Sequence, residues 1–152
     1  MMAQLADLAV MISQSFERAL FEAAKDGDID EVNETLAAGA DVNGVIEGDG
    51  SPLIQAAARG HLDIVTLLLD RGADVNQIVP VDENALMNAS EQGHLPVVQL
   101  LVSRGANVHE RIWTEWSGAD RRGEWRTAIS QARKNGHTAA VVSFLMSAGA
   151  RE

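Results

Sequence analysis

Glycine recurs along this chain at a fixed step, and that step is the strongest constraint on what the chain can fold into. Gly27, Gly60 and Gly93 lie 33 residues apart, and Gly136 follows 43 later, one period plus ten. A second series, Gly39, Gly72, Gly105 and Gly149, tracks the first at offsets of 12, 12, 12 and 13. The surrounding text repeats too. Ala-Gly-Ala-Asp-Val-Asn at 38–43 returns as Arg-Gly-Ala-Asp-Val-Asn at 71–76, as Arg-Gly-Ala-Asn-Val-His at 104–109 and as Ala-Gly-Ala at 148–150. Gly-His recurs at 60–61, 93–94 and 136–137. A period of this length marks an array of stacked supersecondary units.

Each unit reads as two short helices. Residues 51–59, 84–92 and 127–135 carry a helical pattern with small centres (Ala56 and Ala57; Ala89 and Ser90; Ala132), which lets a neighbouring helix approach closely. Gly-His ends that helix, because glycine tolerates the left-handed dihedrals of a C-terminal cap. A second helix follows with apolar residues at helical spacing: Leu62, Val65, Leu68 and Leu69, then Leu95, Val98, Leu101 and Val102. Pro96 falls in its first turn, where the missing N–H costs nothing. Neither helix alone buries enough surface to be stable, so the units must stack.

With these residues in view the sequence resembles the ankyrin repeat family. Ser51-Pro52-Leu53, Asn84-Ala85-Leu86 and Thr127-Ala128-Ile129 stand at its Thr-Pro-Leu-His position, and the Gly-His pairs and Gly-Ala-Asp-Val-Asn runs complete the match. Phe21, Ile54, Met87 and Ser130 replace the family histidine, and only the second unit keeps the proline. The resemblance implies an all-α solenoid of four helix–loop–helix repeats, roughly 18–43, 44–76, 77–109 and 110–150, within a domain spanning 18–152. It implies protein binding through loop tips and the concave face of the first helices. Mapped onto this chain, that face includes Lys25, Arg59, Glu91, Gln92, Arg133 and Lys134.

The two ends differ. In the first unit's second helix, Glu31, Glu34 and Thr35 stand where later units have Ile64, Leu67 and Leu68, giving the polar outer face a terminal repeat needs. Before it, Leu5, Leu8, Ile12, Phe16 and Leu20 are spaced as an amphipathic helix, an extra N-terminal element over 1–17 expected to lie over the first repeat or to dock elsewhere. In the last unit Val141, Val142, Phe144, Leu145 and Met146 wrap most of the final helix, so an apolar face there needs a cover. Leu5, Leu8, Ile12, Val141, Phe144, Leu145 and Met146 are therefore the candidate self-association residues, in a homodimer or larger homo-oligomer.

The loop before the fourth unit is enlarged. Seven residues separate Asn43 from Ser51 and Asn76 from Asn84, whereas seventeen separate His109 from Thr127. This insertion holds all three tryptophans, Trp113, Trp116 and Trp125, interleaved with Arg111, Arg121, Arg122 and Arg126. Trp and Arg dominate binding hot spots. Two readings stay open: the indoles plug the last repeat with arginines stacked on them, or they are presented to a partner. The loop tip Ile78-Val79-Pro80-Val81 is four apolar residues in a row, and either forms exposed contact surface or packs against the insertion. The candidate partner-binding set is Ile78, Val79, Val81, Arg111, Trp113, Trp116, Arg121, Arg122, Trp125 and Arg133.

Composition narrows the function further. With 12 Lys+Arg against 22 Asp+Glu, the net charge of −10 argues against nucleic acid as the partner. Residues 1–50 carry eleven acids and only Arg18 and Lys25 as bases, whereas 111–134 carry six bases and three acids, a dipolar layout suited to a mixed-charge partner or a second copy. No cysteine is present, which removes thiolate chemistry and disulfides. Asp26, Asp28 and Asp30 begin like a calcium loop, but Glu31 and Ala37 occupy the positions of its obligatory glycine and bidentate acid; the aspartates read as helix-start residues. His61, His94 and His137 sit one repeat apart and cannot share a metal. No cofactor, metal or catalytic residue is expected, and no membrane insertion, since no apolar run approaches the ~18–20 residues a span requires. Met1 to Val10 lacks the basic start of a secretory signal. The expectation is a cytoplasmic, non-catalytic protein-binding module, or a module of a larger protein; the alternative is a self-associating structural or engineered scaffold.

Overall fold

Ser51, Asn84 and Thr127 stand at one register in three successive units, and each starts a helix in the same way. The side-chain oxygen accepts from the backbone N–H three residues on: Ile54 at 3.5 Å, Met87 at 2.9 Å and Ser130 at 3.1 Å. These caps satisfy amides that a helix start otherwise leaves unpaired. In the computed structural model, which describes residues 2–80, 83–114, 123–136 and 139–151, they open α3 (Pro52–Arg59), α5 (Ala85–Gln92) and α7 (Ala128–Lys134). The partners are α2 (Ile29–Ala37), α4 (Leu62–Asp70), α6 (Leu95–Ser103) and α8 (Ala139–Ser147), and α1 (Met2–Asp26) begins the chain. A two-stranded antiparallel ribbon, β1 (Ile112–Thr114) and β2 (Glu124–Arg126), precedes α7. Asp28 caps α2, as expected for that aspartate run.

The helices form two stacked rows. α1, α3, α5 and α7 pack in chain order in one, and α2, α4, α6 and α8 in the other. The seam between the rows is apolar, with Ala56, Ala57, Ile64, Leu68, Ala89, Leu101, Ala132 and Leu145 all fully buried. Phe21, Ile54 and Met87, at the register where the family carries histidine, are buried as well. Each large apolar side chain of this kind contributes roughly 1.5–3 kcal/mol, against about 1 kcal/mol for a hydrogen bond. The seam therefore sets the stability, and the polar ties between repeats set the register.

Those ties explain the glycine rhythm. The His61 ring donates from Nε2 to the Lys25 carbonyl, and His94 to that of Ala58, both at 3.1 Å. To reach it, the ring of each histidine lies directly over the glycine of the preceding repeat. A methyl on Gly27 would sit 2.8 Å from His61, and one on Gly60 would sit 2.7 Å from His94. Both glycines also have φ of +87° and +77°, a left-handed backbone that closes the helix. A second ladder runs along the loops. Asn43 donates to the Gly72 carbonyl (3.3 Å) and accepts from the Asp74 N–H (2.8 Å); Asn76 does the same with Gly105 and Asn107. At the last junction His109 replaces this asparagine, and there Asn135 donates to the Glu91 carbonyl at 3.2 Å.

At the ends the sequence expectations need adjustment. Residues 5–12 are not folded over the first repeat. No glycine or proline interrupts the chain between Leu5 and Lys25, so the segment continues as the first turns of α1, and Leu5, Leu8, Val10, Met11 and Ile12 are exposed. At the other end, Val141 and Leu145 are core residues rather than an uncovered face: four residues apart on α8, they share the side turned inward. Phe144 packs partly against the core, and Met146 is left exposed.

Candidate partner-binding surface

The two flanks of the enlarged loop, 112–114 and 124–126, pair as a ribbon whose register sets Ile112 against Arg126, Trp113 against Trp125 and Thr114 against Glu124. Cross-strand partners share one face of a ribbon, which brings the two indoles together at 5.2 Å between centroids, edge to face at 64°. Arg111 stacks on the Trp125 ring at 5.1 Å. The indoles do not plug the last repeat: Trp113 is 48% exposed and Trp125 is 53% exposed. The reading in which they fold back as an end cap fails for these two, although the arginine stacking it included is present.

What fixes the ribbon in place is an ion pair whose acid lies outside the Trp/Arg pattern. Glu83 and Arg126 occupy the residue just before the helix cap in successive repeats, and they pair across the junction, with only 5% of the Glu83 side chain exposed. Arg126 also holds Glu124 at 3.0 Å. The Glu83 hydrogen bond, and then the charges of Glu83 and Glu124, raise the Arg126 guanidinium above its ordinary range against the opposing effect of partial burial. The equivalent residue one repeat earlier is Gly50, with φ of +95°, and Glu83 keeps that left-handed backbone at +65°. For a non-glycine residue this conformation costs about 1–2 kcal/mol, so the ion pair must hold it. Unlike charges at one repeat register are a signal visible in the sequence, once Gly50, Glu83 and Arg126 are aligned.

Glu83 also closes the apolar loop. Its backbone exchanges two 2.9 Å hydrogen bonds with Val79. That bridge turns the Val79 side chain into the core, where it is buried, so Val79 is corrected from contact surface to core. Its neighbour Ile78 stays exposed. Val81, Trp116, Arg121 and Arg122 lie outside the described residues.

Two open hollows lie where the ribbon meets α7. One, of ≈ 360 Å³, is lined by Arg111, Trp125, Thr127, Ile129, Ser130 and Arg133. The other, of ≈ 390 Å³, is lined by Glu124, Trp125, Ser130, Gln131, Arg133 and Lys134. Trp125 stands in both. Gln131 is buried and its Oε1 has no hydrogen-bond partner, an unusual condition for a buried acceptor. Of the residues that the family resemblance assigns to the concave face, Lys134 pairs with Glu91 (3.1 Å) and Lys25 with Glu22 (3.3 Å), while Arg59 and Gln92 are exposed. No cluster of three potential metal ligands occurs among the described residues, and no helix there is long and apolar enough to cross a membrane.

No curated protein matches the sequence. A family model for ankyrin repeats (three copies) matches residues 20–112, more than half of the chain, and the fourth helix pair, α7 and α8, continues the same stack beyond it. Such repeats are generally protein–protein interaction modules and typically not enzymes. The chain belongs to the ankyrin repeat family.

Proposed function

We propose that this chain is a non-catalytic module that binds another protein through the ribbon before the fourth repeat, with the exposed loop tip at Ile78 and the concave helix face beside it. One observation carries the reading: two half-exposed tryptophans form an edge-to-face pair with an arginine stacked on one of them, on a ribbon anchored by an ion pair. Exposed indoles and arginines held rigidly lose little conformational entropy on binding, which is what makes such residues hot spots. In a titration against a purified partner, Trp113→Ala and Trp125→Ala are expected to weaken affinity by about 30-fold or more, the equivalent of ~2 kcal/mol each. Their unfolding midpoints should stay near that of the parent, since the pair adds only about 0.5–1.5 kcal/mol. Unchanged affinity in both variants would remove the ribbon from the interface.

A second reading, self-association, is favoured by the exposed apolar stretch of α1. Leu5, Leu8 and Ile12 recur at helical spacing and are joined by Val10 and Met11, with Met146 exposed at the other end. Light scattering over a range of concentrations tests it. A dimer that Leu8→Glu with Ile12→Glu converts to monomer supports this reading, and a monomer at every concentration rejects it.

A further inference from the structure

We propose that the first turns of α1 form an arm by which two copies of this chain pair, the arms running in opposite directions about a two-fold axis between Leu8 and Ala9. The inference rests on the self-association reading and names its contact. Residues 4–15 are exposed without a break, and Phe16, half-buried beside Glu34 and Thr35, is where the helix meets the first repeat. At 1.5 Å per residue the arm therefore extends roughly 20 Å from that repeat. Leu5, Leu8, Ala9 and Ile12 fall within about 100° of its circumference, and all four are exposed. Asp7 and Gln14 lie on the opposite side.

Shape and charge both favour a second copy as the occupant. A two-fold contact needs a surface that complements itself, and this stripe does. Turned end for end about the axis, Leu5 meets Ile12 of the second copy and Leu8 meets Leu8, while Ala9 on the other edge lets the backbones come close. Asp7 is the only charge in residues 2–16, and it stands away from the stripe, so the arm offers a charged partner no anchor. No Lys or Arg precedes Arg18, so nothing in the arm attracts an anionic bilayer. Charge also sets the direction of pairing. Residues 17–50 carry ten acids against Arg18 and Lys25, and parallel arms would bring two such acidic ends together. Opposed arms hold them about 30 Å apart, several times the ≈ 8 Å screening length at physiological salt. Because the fourth repeat stands at the other end of the stack from the arm, both ribbons stay free. The dimer presents two binding surfaces at once, which raises its avidity for a partner with two matching sites.

The chain has no cysteine, so a single introduced one carries a spin label without competition. Light scattering of the whole chain should show a dimer that forms as concentration rises, since two arms this short bury less than the ~1,600 Å² of a standard interface. In that dimer, nitroxides on Arg18→Cys should lie about 30 Å apart by double electron–electron resonance, whereas parallel arms would hold them within about 20 Å. Leu8→Glu sets two carboxylates against each other at the axis and should weaken the dimer about tenfold or more. Its thermal midpoint should match the parent's, because Leu8 lies outside the core. A dimer with the short label distance, or one indifferent to Leu8→Glu, would overturn the arm pairing while leaving self-association through another surface. Oligomers larger than two would do the same, because a two-fold contact closes on itself. A monomer at every concentration would overturn both, as would an arm that binds neutral lipid vesicles with no dimer formed.

Discussion

At the level of single residues, the repeat is an interlock between a glycine and the histidine that comes one unit later. Gly60 serves two purposes. Its positive φ closes α3, and its missing side chain leaves room for the His94 ring, which donates across the junction to Ala58. Gly72 has a positive φ of +92° but nothing within 4 Å of where a methyl would go. The two glycines should therefore differ when changed to alanine. Gly72→Ala carries only backbone strain, about 1–2 kcal/mol. Gly60→Ala adds displacement of His94 and loss of its bond, for about 2–4 kcal/mol in all. Urea unfolding of both variants checks this, and equal losses would mean that the histidine does not depend on the space over the glycine. The glycine half of the interlock is plain in the sequence as a rhythm. Its partner atom, a carbonyl 36 residues back, is not, because a backbone acceptor leaves no residue-type signature.

Among the elements, the ribbon and α8 show where sequence pattern stops being sufficient. Helical spacing located the inner helices almost to the residue, since caps and stopping glycines are local chemistry. A run such as Val141-Val142-Ser143-Phe144-Leu145-Met146 is apolar on most sides, and spacing cannot choose which side faces in; packing against α7 and α6 does. Likewise Ile78 and Val79 look equivalent in a string of apolar residues, and only the bridge to Glu83 separates core from surface. The same Glu83 governs the ribbon. Arg126→Leu leaves a buried carboxylate without its cation while keeping the strained backbone, and should cost about 2–4 kcal/mol. Adding Glu83→Gly, which restores the residue type of Gly50, removes both faults, so the double variant should be more stable than Arg126→Leu alone. Thermal unfolding of the two variants decides it. A double variant less stable than the single one would show that the pair does not hold the strained turn.

Taken whole, the molecule is a short one-dimensional stack in which each repeat answers to its neighbours. The junctions are unequal. The first two carry both the histidine and the asparagine bridges; at the third His109 stands in place of the asparagine, and among the described residues Asn135, the Lys134–Glu91 pair and the Glu83–Arg126 pair cross it. The ribbon thus belongs to the junction that departs most from the repeat, which is where a chain built from copies can acquire a surface of its own. Hydrogen–deuterium exchange, measured with and without a purified partner, tests the ribbon's role most directly. Binding is expected to slow exchange across Ile112–Thr114 and Glu124–Lys134, with smaller effects near Ile78 and none along α2, α4 and α6. Protection confined to the outer helices or to the first turns of α1, with the ribbon unchanged, would contradict the account.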